Sequence, residues 1–269
     1  TSQIPCESTS HDTRVIPIPV LEDNYAYLII DTSTGACACV DPAEPEKVLT
    51  AAARHGVNIS MVLTTHKHWD HSGGNLEMAA KIPGVAIVGG AIDAVEGCNH
   101  PVEDGQKLSF GASQISCLLT PGHTKGHISY LVESSLSKHV FTGDVLFIGG
   151  CGKFFEGTAA EMFPSLYEKL GCLDPSTKVW CGHEYTMSNF RFALSVEPGN
   201  SELQAKAAWA ESQRKEGKIT VPSTIGDELA TNVFLRCNKA TVQVACSCRS
   251  GATTIDFLGA LRNQKNRFR

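Results

Sequence analysis

Residues 64–74 read Thr64-Thr65-His66-Lys67-His68-Trp69-Asp70-His71-Ser72-Gly73-Gly74, and this stretch decides the fold. It places His66, His68, Asp70 and His71, all potential metal ligands, within one turn of chain. An apolar run (Ile59, Met61, Val62, Leu63) leads into it, and a glycine pair with a helical pattern follows. That sequence of signals reads as strand, turn, helix. His66 and His68 alternate, so on an extended segment they point the same way. Asp70 and His71 are adjacent and cannot both join that pair at a single ion, so the spacing predicts two metals. Structural zinc sites favour Cys and close every coordination position. His and Asp instead suit a catalytic site with room for water.

The composition bounds the rest. A chain of 269 residues with 42% hydrophobic side chains can bury a substantial core, in one large domain or two at about 150 residues each. No apolar run approaches the ~20 residues that span a bilayer, so no membrane segment is expected. A net charge of −5 gives no support for a nucleic-acid partner. Residues 1–14 are polar and lack the apolar centre of a signal peptide. Thr1 is not a Met, so a removed targeting segment would leave no trace. The 11 cysteines are odd in number and have no framework spacing, which predicts reduced thiols and a cytoplasmic location, or the mitochondrial matrix if such a segment was removed. Cys37 and Cys39 alternate as core residues would, and Cys246-Ser247-Cys248 stands alone.

Outward from residues 64–74 the pattern is α/β. Strands are expected at 15–19, 26–30, 36–40, Ile59–Leu63 and 85–88, with helices at Pro45–His55 and 74–81. A hairpin at Lys107–Phe110 and 114–119 follows, then strands at 128–132, 139–141 and 179–180, with a helix over 158–170. After His183 the pattern turns helical, at 187–196, 201–216, 223–231 and 253–266. The expected organisation is an α/β domain over 1–184 and a smaller helical region over 185–269.

Later turns repeat the first design: an apolar run meets a Gly and then a ligand-type residue, giving His123, Asp144 and His183. A carboxylate has two oxygens and can bridge, and Asp144 is the natural bridge. His66, His68 and His123 are assigned to a first metal, and Asp70, His71 and His183 to a second. His127 is the chief rival to His123 and is read as a supporting residue. His11, His55, His100 and His139 have no companions and are read as structural. Such ligands suit two divalent ions, zinc foremost, with iron or manganese as alternatives. Two metals ~3.5–4 Å apart acidify a bound water and clamp an oxyanion, chemistry for hydrolysing an ester-like bond.

T-H-K-H-W-D-H-S-G-G, P-G-H-T-K-G-H, F-T-G-D and C-G-H-E-Y, in this order, resemble the metallo-β-lactamase fold. Glu22-Asp23-Asn24-Tyr25, residues 150–157, Val196-Glu197-Pro198-Gly199-Asn200 and Val221-Pro222-Ser223-Thr224 narrow the resemblance to glyoxalase II, the hydroxyacylglutathione hydrolases. Residues 15–25 look closer still to a related branch, the probable hydrolase linked to paroxysmal nonkinesigenic dyskinesia. The resemblance implies an αββα sandwich followed by a helical domain. It also implies a glutathione thioester substrate such as S-D-lactoylglutathione, held by Lys153, Tyr185, Arg262 and Lys265. A tyrosine that the family carries two residues after the lysine is here Phe155, which keeps the ring and loses the hydroxyl donor. Arg262, Lys265, Arg267 and Arg269 make the C-terminus basic, complementary to a carboxylate-bearing substrate. A monomer is expected.

The expected reaction is attack on the thioester carbonyl by a hydroxide shared between the metals, with Asp70, Asp144 and His183 as the residues that act through them. A thiolate leaves without a strong general acid (thiol pKa about 8.5), so no Ser or Cys nucleophile is needed. Cys151 and Cys181 are read as packing residues, and Asp41 as orienting a ligand histidine. Two other readings compete. One is a persulfide dioxygenase-like enzyme with a single iron, which would not need all seven ligands. The other is a glutathione-binding or interaction protein with weak turnover, to which Phe155 and the likeness to the dyskinesia-linked branch give weight.

Overall fold

Every residue of the strand Asn24–Asp31 is buried, yet its side chains divide between two cores. Ala26, Leu28 and Ile30 enter one, and Tyr25, Tyr27 and Ile29 the other. Successive strand residues face opposite ways, so a strand apolar on both faces belongs to a middle layer. A computed structural model describes residues 10–268 and shows the layers. The first sheet is six-stranded, in the order β1 (Thr13–Val20), β2 (Asn24–Asp31), β3 (Cys37–Val40), β4 (Ile59–Leu63), β5 (Ala86–Gly90) and β6 (His100–Val102). Helices α1 (Pro45–His55), α2 (Trp69–Ser72) and α3 (Asn75–Lys81) accompany it. Val48 and Ala52 of α1 and Met78 of α3 pack on its outer face with Cys37, Cys39 and Val62.

The second sheet uses β7 (Lys107–Phe110), β8 (Ser113–Leu119), β9 (Ile128–Glu133) and β10 (Lys138–Gly143). A separate two-stranded ribbon, β11 (Leu146–Phe147) and β12 (Gly150–Cys151), follows. Then come β13 (Lys178–Cys181) and β14 (Ser223–Thr224), which complete the order β14-β13-β10-β9-β8-β7. Between the sheets lie Tyr27, Val40, Leu63, Ile115, Tyr130 and Phe141. Their interdigitation supplies most of the driving force for the sandwich. The outer layer on this side includes α4 (Ala159–Phe163), and the helical region contributes α5 (Thr186–Val196), α6 (Ser201–Lys215), α7 (Ile225–Thr231), α8 (Ala240–Gln243) and α9 (Thr254–Arg267).

Strand direction places the site. β8 and β10 are both antiparallel to β9, and β13 is parallel to β10. The C-terminal ends of β8, β10 and β13 therefore share one edge of the sandwich.

The structure departs from the expected elements in several places, among them the unexpected ribbon β11–β12 and helix α8. The helix expected over 158–170 is α4 followed by a wider, π-type segment at Pro164–Leu170. Pro164 has no N–H with which to continue the α ladder. The helix expected at 223–231 begins only at Ile225, because Ser223 and Thr224 pair with Val179 and Lys178 of β13. The region after residue 184 thus lends a strand to the second sheet. Strand β6 had no clear apolar signal, since His100 and Pro101 are exposed. Among the described residues no helix is long and apolar enough to cross a membrane.

Candidate metal centre

His66 follows β4, His68 precedes α2, and Asp70 and His71 lie on α2. His123 sits between β8 and β9, Asp144 follows β10, and His183 follows β13. First-sheet and second-sheet turns thus meet at one end of the sandwich, as rigid strands delivering loop residues would do.

Two groups form there, with ligand atoms within 4.8 Å of one another: His66, His68 and His123, and Asp70, His71 and His183; His66 and His71 also group with Asp144. In the first group, His68 Nδ1 lies 3.0 Å from His66 Nε2 and 3.0 Å from His123 Nε2. In the second, His71 Nε2 and His183 Nε2 are 3.3 Å apart. Asp144 stands between the groups. Its Oδ1 is 3.4 Å from His71 Nε2, and its Oδ2 is 3.5 Å from His123 Nε2 and 3.3 Å from His183 Nε2. Asp70 Oδ2 is 3.4 Å from His183 Nε2.

The outer nitrogens are spoken for. His71 Nδ1 meets Asp41 Oδ2 at 2.9 Å, His183 Nδ1 meets Asp23 Oδ1 at 2.8 Å, and His123 Nδ1 meets the Lys153 carbonyl at 3.0 Å. Thr65 donates its hydroxyl to Asp41, so it accepts from His66 Nδ1 at 3.0 Å. With Nδ1–H donated outward, these four rings turn the lone pair of Nε2 inward. His68 alone presents Nδ1. One proton on His68 cannot satisfy both of its neighbours, and Asp144 Oδ1 is buried without a hydrogen-bond partner.

The charges point the same way. Burial, aided by nearby His71, drives His66 well below the usual imidazole range. Burial opposes charge on His71 and His183 as well. There Asp144 outweighs it, with Asp41 at His71 and Asp70 at His183, and His183 is raised to about 10. Asp144 and Asp70 are held well below the carboxylate range despite burial, chiefly by His71 and His183. The carboxylates demand positive charge, which ring protons on His71 and His183 meet here and two divalent cations would meet in their place, while His66 and His123 are held neutral with lone pairs to offer.

A cavity of about 410 Å³ opens directly on the centre. Its lining includes His123, Asp144, Lys153, Phe155, Tyr185 and Lys265. Tyr185 stacks on His183 at 4.7 Å between ring centroids. Phe155, 63% exposed, stands 5.1 Å from the His123 ring and 5.9 Å from that of His68. Lys265 Nζ donates to the Ser188 carbonyl at 2.7 Å, and burial, then repulsion from Arg262 and Arg191, lowers its pKa to about 8. Arg262 also lines the cavity but is buried. Its Nη1 donates to the Cys151 carbonyl at 2.7 Å and its Nε to Asn266 Oδ1 at 3.1 Å.

Sequence reasoning passed over several supports. Asn24 donates its amide to Asp70 Oδ2 at 3.1 Å and to the Asp70 carbonyl at 3.2 Å. Asp93 accepts from Lys67 N at 2.8 Å and Gly126 N at 3.0 Å, tying the first ligand turn to the His123 turn. Asp23 and Asn24 read in sequence as a turn between two strands, and nothing in their spacing announces partners so distant in the chain. Of the other histidines, His127 accepts from Asp144 N at 3.3 Å and stacks on His66. His139 accepts from Trp180 Nε1 at 3.1 Å.

Two family models divide the chain: the metallo-beta-lactamase superfamily over residues 20–183 and the hydroxyacylglutathione hydrolase C-terminus over residues 184–268. The "Hydroxyacylglutathione hydrolase cytoplasmic" of Arabidopsis thaliana is 49% identical over 259 residues, covering 95% of this chain and 99% of its own length. A "Hydroxyacylglutathione hydrolase-like protein" of Mus musculus is 48% identical over 233 residues, covering 86% and 82%. Among solved structures, ETHE1 from Myxococcus xanthus superposes with a TM-score of 0.66 at 23% identity over 94% of this chain and 91% of that one. A metallo-beta-lactamase from Staphylococcus aureus subsp. aureus COL gives 0.64 at 23% identity over 95% and 71%. At such identity the structures speak to the fold, and the fold is theirs. With both models matched end to end and relatives at nearly half identity, the chain belongs to the hydroxyacylglutathione hydrolase family within the metallo-β-lactamase superfamily.

Proposed function

We propose that the protein hydrolyses the thioester of S-D-lactoylglutathione, or of a related S-acylglutathione, to glutathione and a hydroxy acid. The observation that carries this reading is the shared wall: His123 and Asp144 of the ligand cluster face the same cavity as Lys153, Tyr185 and Lys265. His66, His68 and His123 would hold one divalent metal and Asp70, His71 and His183 a second, with Asp144 between them. Zinc is the first expectation, with iron or manganese compatible with the same donors. Bound there, the metals would supply Lewis acidity and make water acidic near neutral pH.

The chain's own residues do the rest. Asp70 and His183, from the second ligand group, and Asp144, between the groups, would fix the reacting centre. Lys153 and Lys265 offer positive charge to the carboxylates of the glutathione moiety. Tyr185 offers a ring face and a hydroxyl beside His183. Arg262 has two of its nitrogens committed inside the protein, so it supports the wall and leaves less for substrate. Phe155 puts an apolar ring over His68 and His123 and has no hydroxyl to give. Cys151 is no nucleophile, because burial pushes its thiol up to about 11. Residues 1–184 are the proposed catalytic unit and 185–269 the substrate-binding unit, acting as a monomer. A cytoplasmic location rests on the reduced cysteines and on the Arabidopsis relative's name.

Release of free thiol from S-D-lactoylglutathione by purified, metal-loaded protein tests the proposal. Full metal loading with no thiol release from any S-acylglutathione would defeat it. The second reading, a glutathione-binding or interaction protein with weak turnover, is favoured by Phe155 and by the likeness of residues 15–25 to the dyskinesia-linked branch. A persulfide dioxygenase-like role is disfavoured by the complete second ligand group.

A further inference from the structure

Ribbon β11–β12 belongs to neither large sheet. It begins just after Asp144 and is followed by Gly152 and Lys153, so its position sets where the cavity wall stands against the metal centre. Its own pairing is minimal, Leu146 with Cys151 and Phe147 with Gly150, and a lone two-stranded hairpin is marginal in water.

What holds it comes from beyond residue 184. Asn232 Nδ2 donates to the carbonyls of Phe147 at 3.2 Å and Gly150 at 2.9 Å. Asn189 Nδ2 donates to the Ile148 carbonyl at 3.0 Å. Glu228 Oε2 accepts from Gly149 N at 2.8 Å, and Arg262 Nη1 donates to the Cys151 carbonyl at 2.7 Å. Every residue from Phe147 to Cys151 thus has a backbone polar group met by a side chain of the helical region. The fit is close: a Cβ on Gly149, whose φ is +67°, would lie 2.5 Å from the Phe190 ring.

Glu228 is the hub of this cradle. It is buried and also accepts from Asn232 Nδ2 at 2.9 Å and Ser223 Oγ at 2.6 Å. Its acceptors orient the Asn232 amide towards the ribbon. Removing it would leave Gly149 N and Ser223 Oγ without this acceptor and Asn232 Nδ2 without the one that orients it, the expensive way to lose a buried hydrogen bond.

We infer that Glu228 is a positioning residue for substrate binding: through Gly149 and Asn232 it fixes the ribbon, and with it the wall formed by Phe147, Cys151, Gly152 and Lys153. The inference rests on the functional reading above. It gives the helical region a second task, holding catalytic-domain backbone in place.

In full-length, metal-loaded protein, Glu228→Ala should raise both the KM for S-D-lactoylglutathione and the Kd of S-methylglutathione, an uncleavable thioether, by about tenfold or more. Over the same comparison kcat should stay within about threefold and metal content at the wild-type level. Glu228→Gln should recover most of the loss, because its carbonyl oxygen can accept from Gly149 and Asn232 while its amide donates to Ser223. Hydrogen exchange at the Gly149 amide should quicken in Glu228→Ala and stay near wild type in Glu228→Gln. If the alanine protein does not fold, Glu228→Asp, which withdraws the carboxylate by one methylene, should show the same changes on a smaller scale. Unchanged KM, Kd and Gly149 exchange in the folded variant would overturn the inference. A wild-type protein that neither binds the thioether nor cleaves the thioester would overturn the functional reading instead, and the exchange comparison would then decide this one.

Discussion

Asp41 and His71 meet through a 2.9 Å contact between Oδ2 and Nδ1, with both side chains buried. The same oxygen takes the Thr65 hydroxyl at 2.8 Å, and Thr65 in turn holds His66. One carboxylate therefore aims an imidazole from each ligand group, directly in one case and through a hydroxyl in the other. Asp41 also sits at a φ of +48°, a backbone position that Asn tolerates well.

Asp41→Asn should accordingly remove the charge and one acceptor without straining the chain. Metal affinity is predicted to fall by about 10–100-fold. Competition with a chromogenic chelator measures it, and an affinity equal to wild type would show that Asp41 does not orient the ligands.

Gly182→Ala should be damaging out of proportion to its size. A Cβ there would lie 2.3 Å from Asp144 Oδ1 and 2.7 Å from His71 Cε1, so Asp144 or His71 must move. A displacement of about 1 Å at a reacting centre can cost roughly 10²-fold, and turnover and metal content are predicted to fall together. Native turnover in this variant would mean that the carboxylate has no fixed place.

Phe155→Tyr should restore a hydroxyl at the cavity mouth. One added hydrogen bond to substrate is worth about 1 kcal/mol, so KM for S-D-lactoylglutathione should drop by about fivefold with kcat little altered. Steady-state kinetics on both proteins settle the point. A gain confined to kcat would instead favour the weak-turnover reading.

Lys265 predicts a pH effect. With its pKa lowered to about 8 by burial and by Arg262 and Arg191, its charge is present below that pH and lost above it. Attraction for a substrate carboxylate follows the charge, so kcat/KM, which reports the free enzyme, should decline as pH rises through about 8. Lys265→Ala should flatten that limb while lowering the plateau. An alkaline limb unchanged in the variant would assign the titration to another group.

The strands that deliver ligands were legible because each ends an apolar run at a turn: Leu63 before His66, Phe141 before Asp144, Trp180 before His183. The strand at 26–30 was legible from its apolar run, but its place between two cores was not, because a strand apolar on both faces shows no alternation to read. Other features were hidden for physical reasons. Ser223-Thr224 looks like the start of a helix because Thr224 does cap one, accepting from Asp227 N at 3.0 Å, and only tertiary pairing makes it a strand. The ribbon at 146–151 gave no sign of its pairing beyond the apolar Val145-Leu146-Phe147, since its holders Asn189, Glu228 and Asn232 lie far along the chain. Asp23 and Asn24 signal the turn between β1 and β2 but not their support of the ligands, because their partners His183 and Asp70 approach only once the sandwich closes.

Two cations sharing Asp144 is the claim on which the chemistry rests, and metal stoichiometry tests it most directly. Elemental analysis after exhaustive dialysis, run on the preparation used for thioester assays, should find two divalent ions per chain at full activity. Full activity from protein that holds a single ion would contradict it.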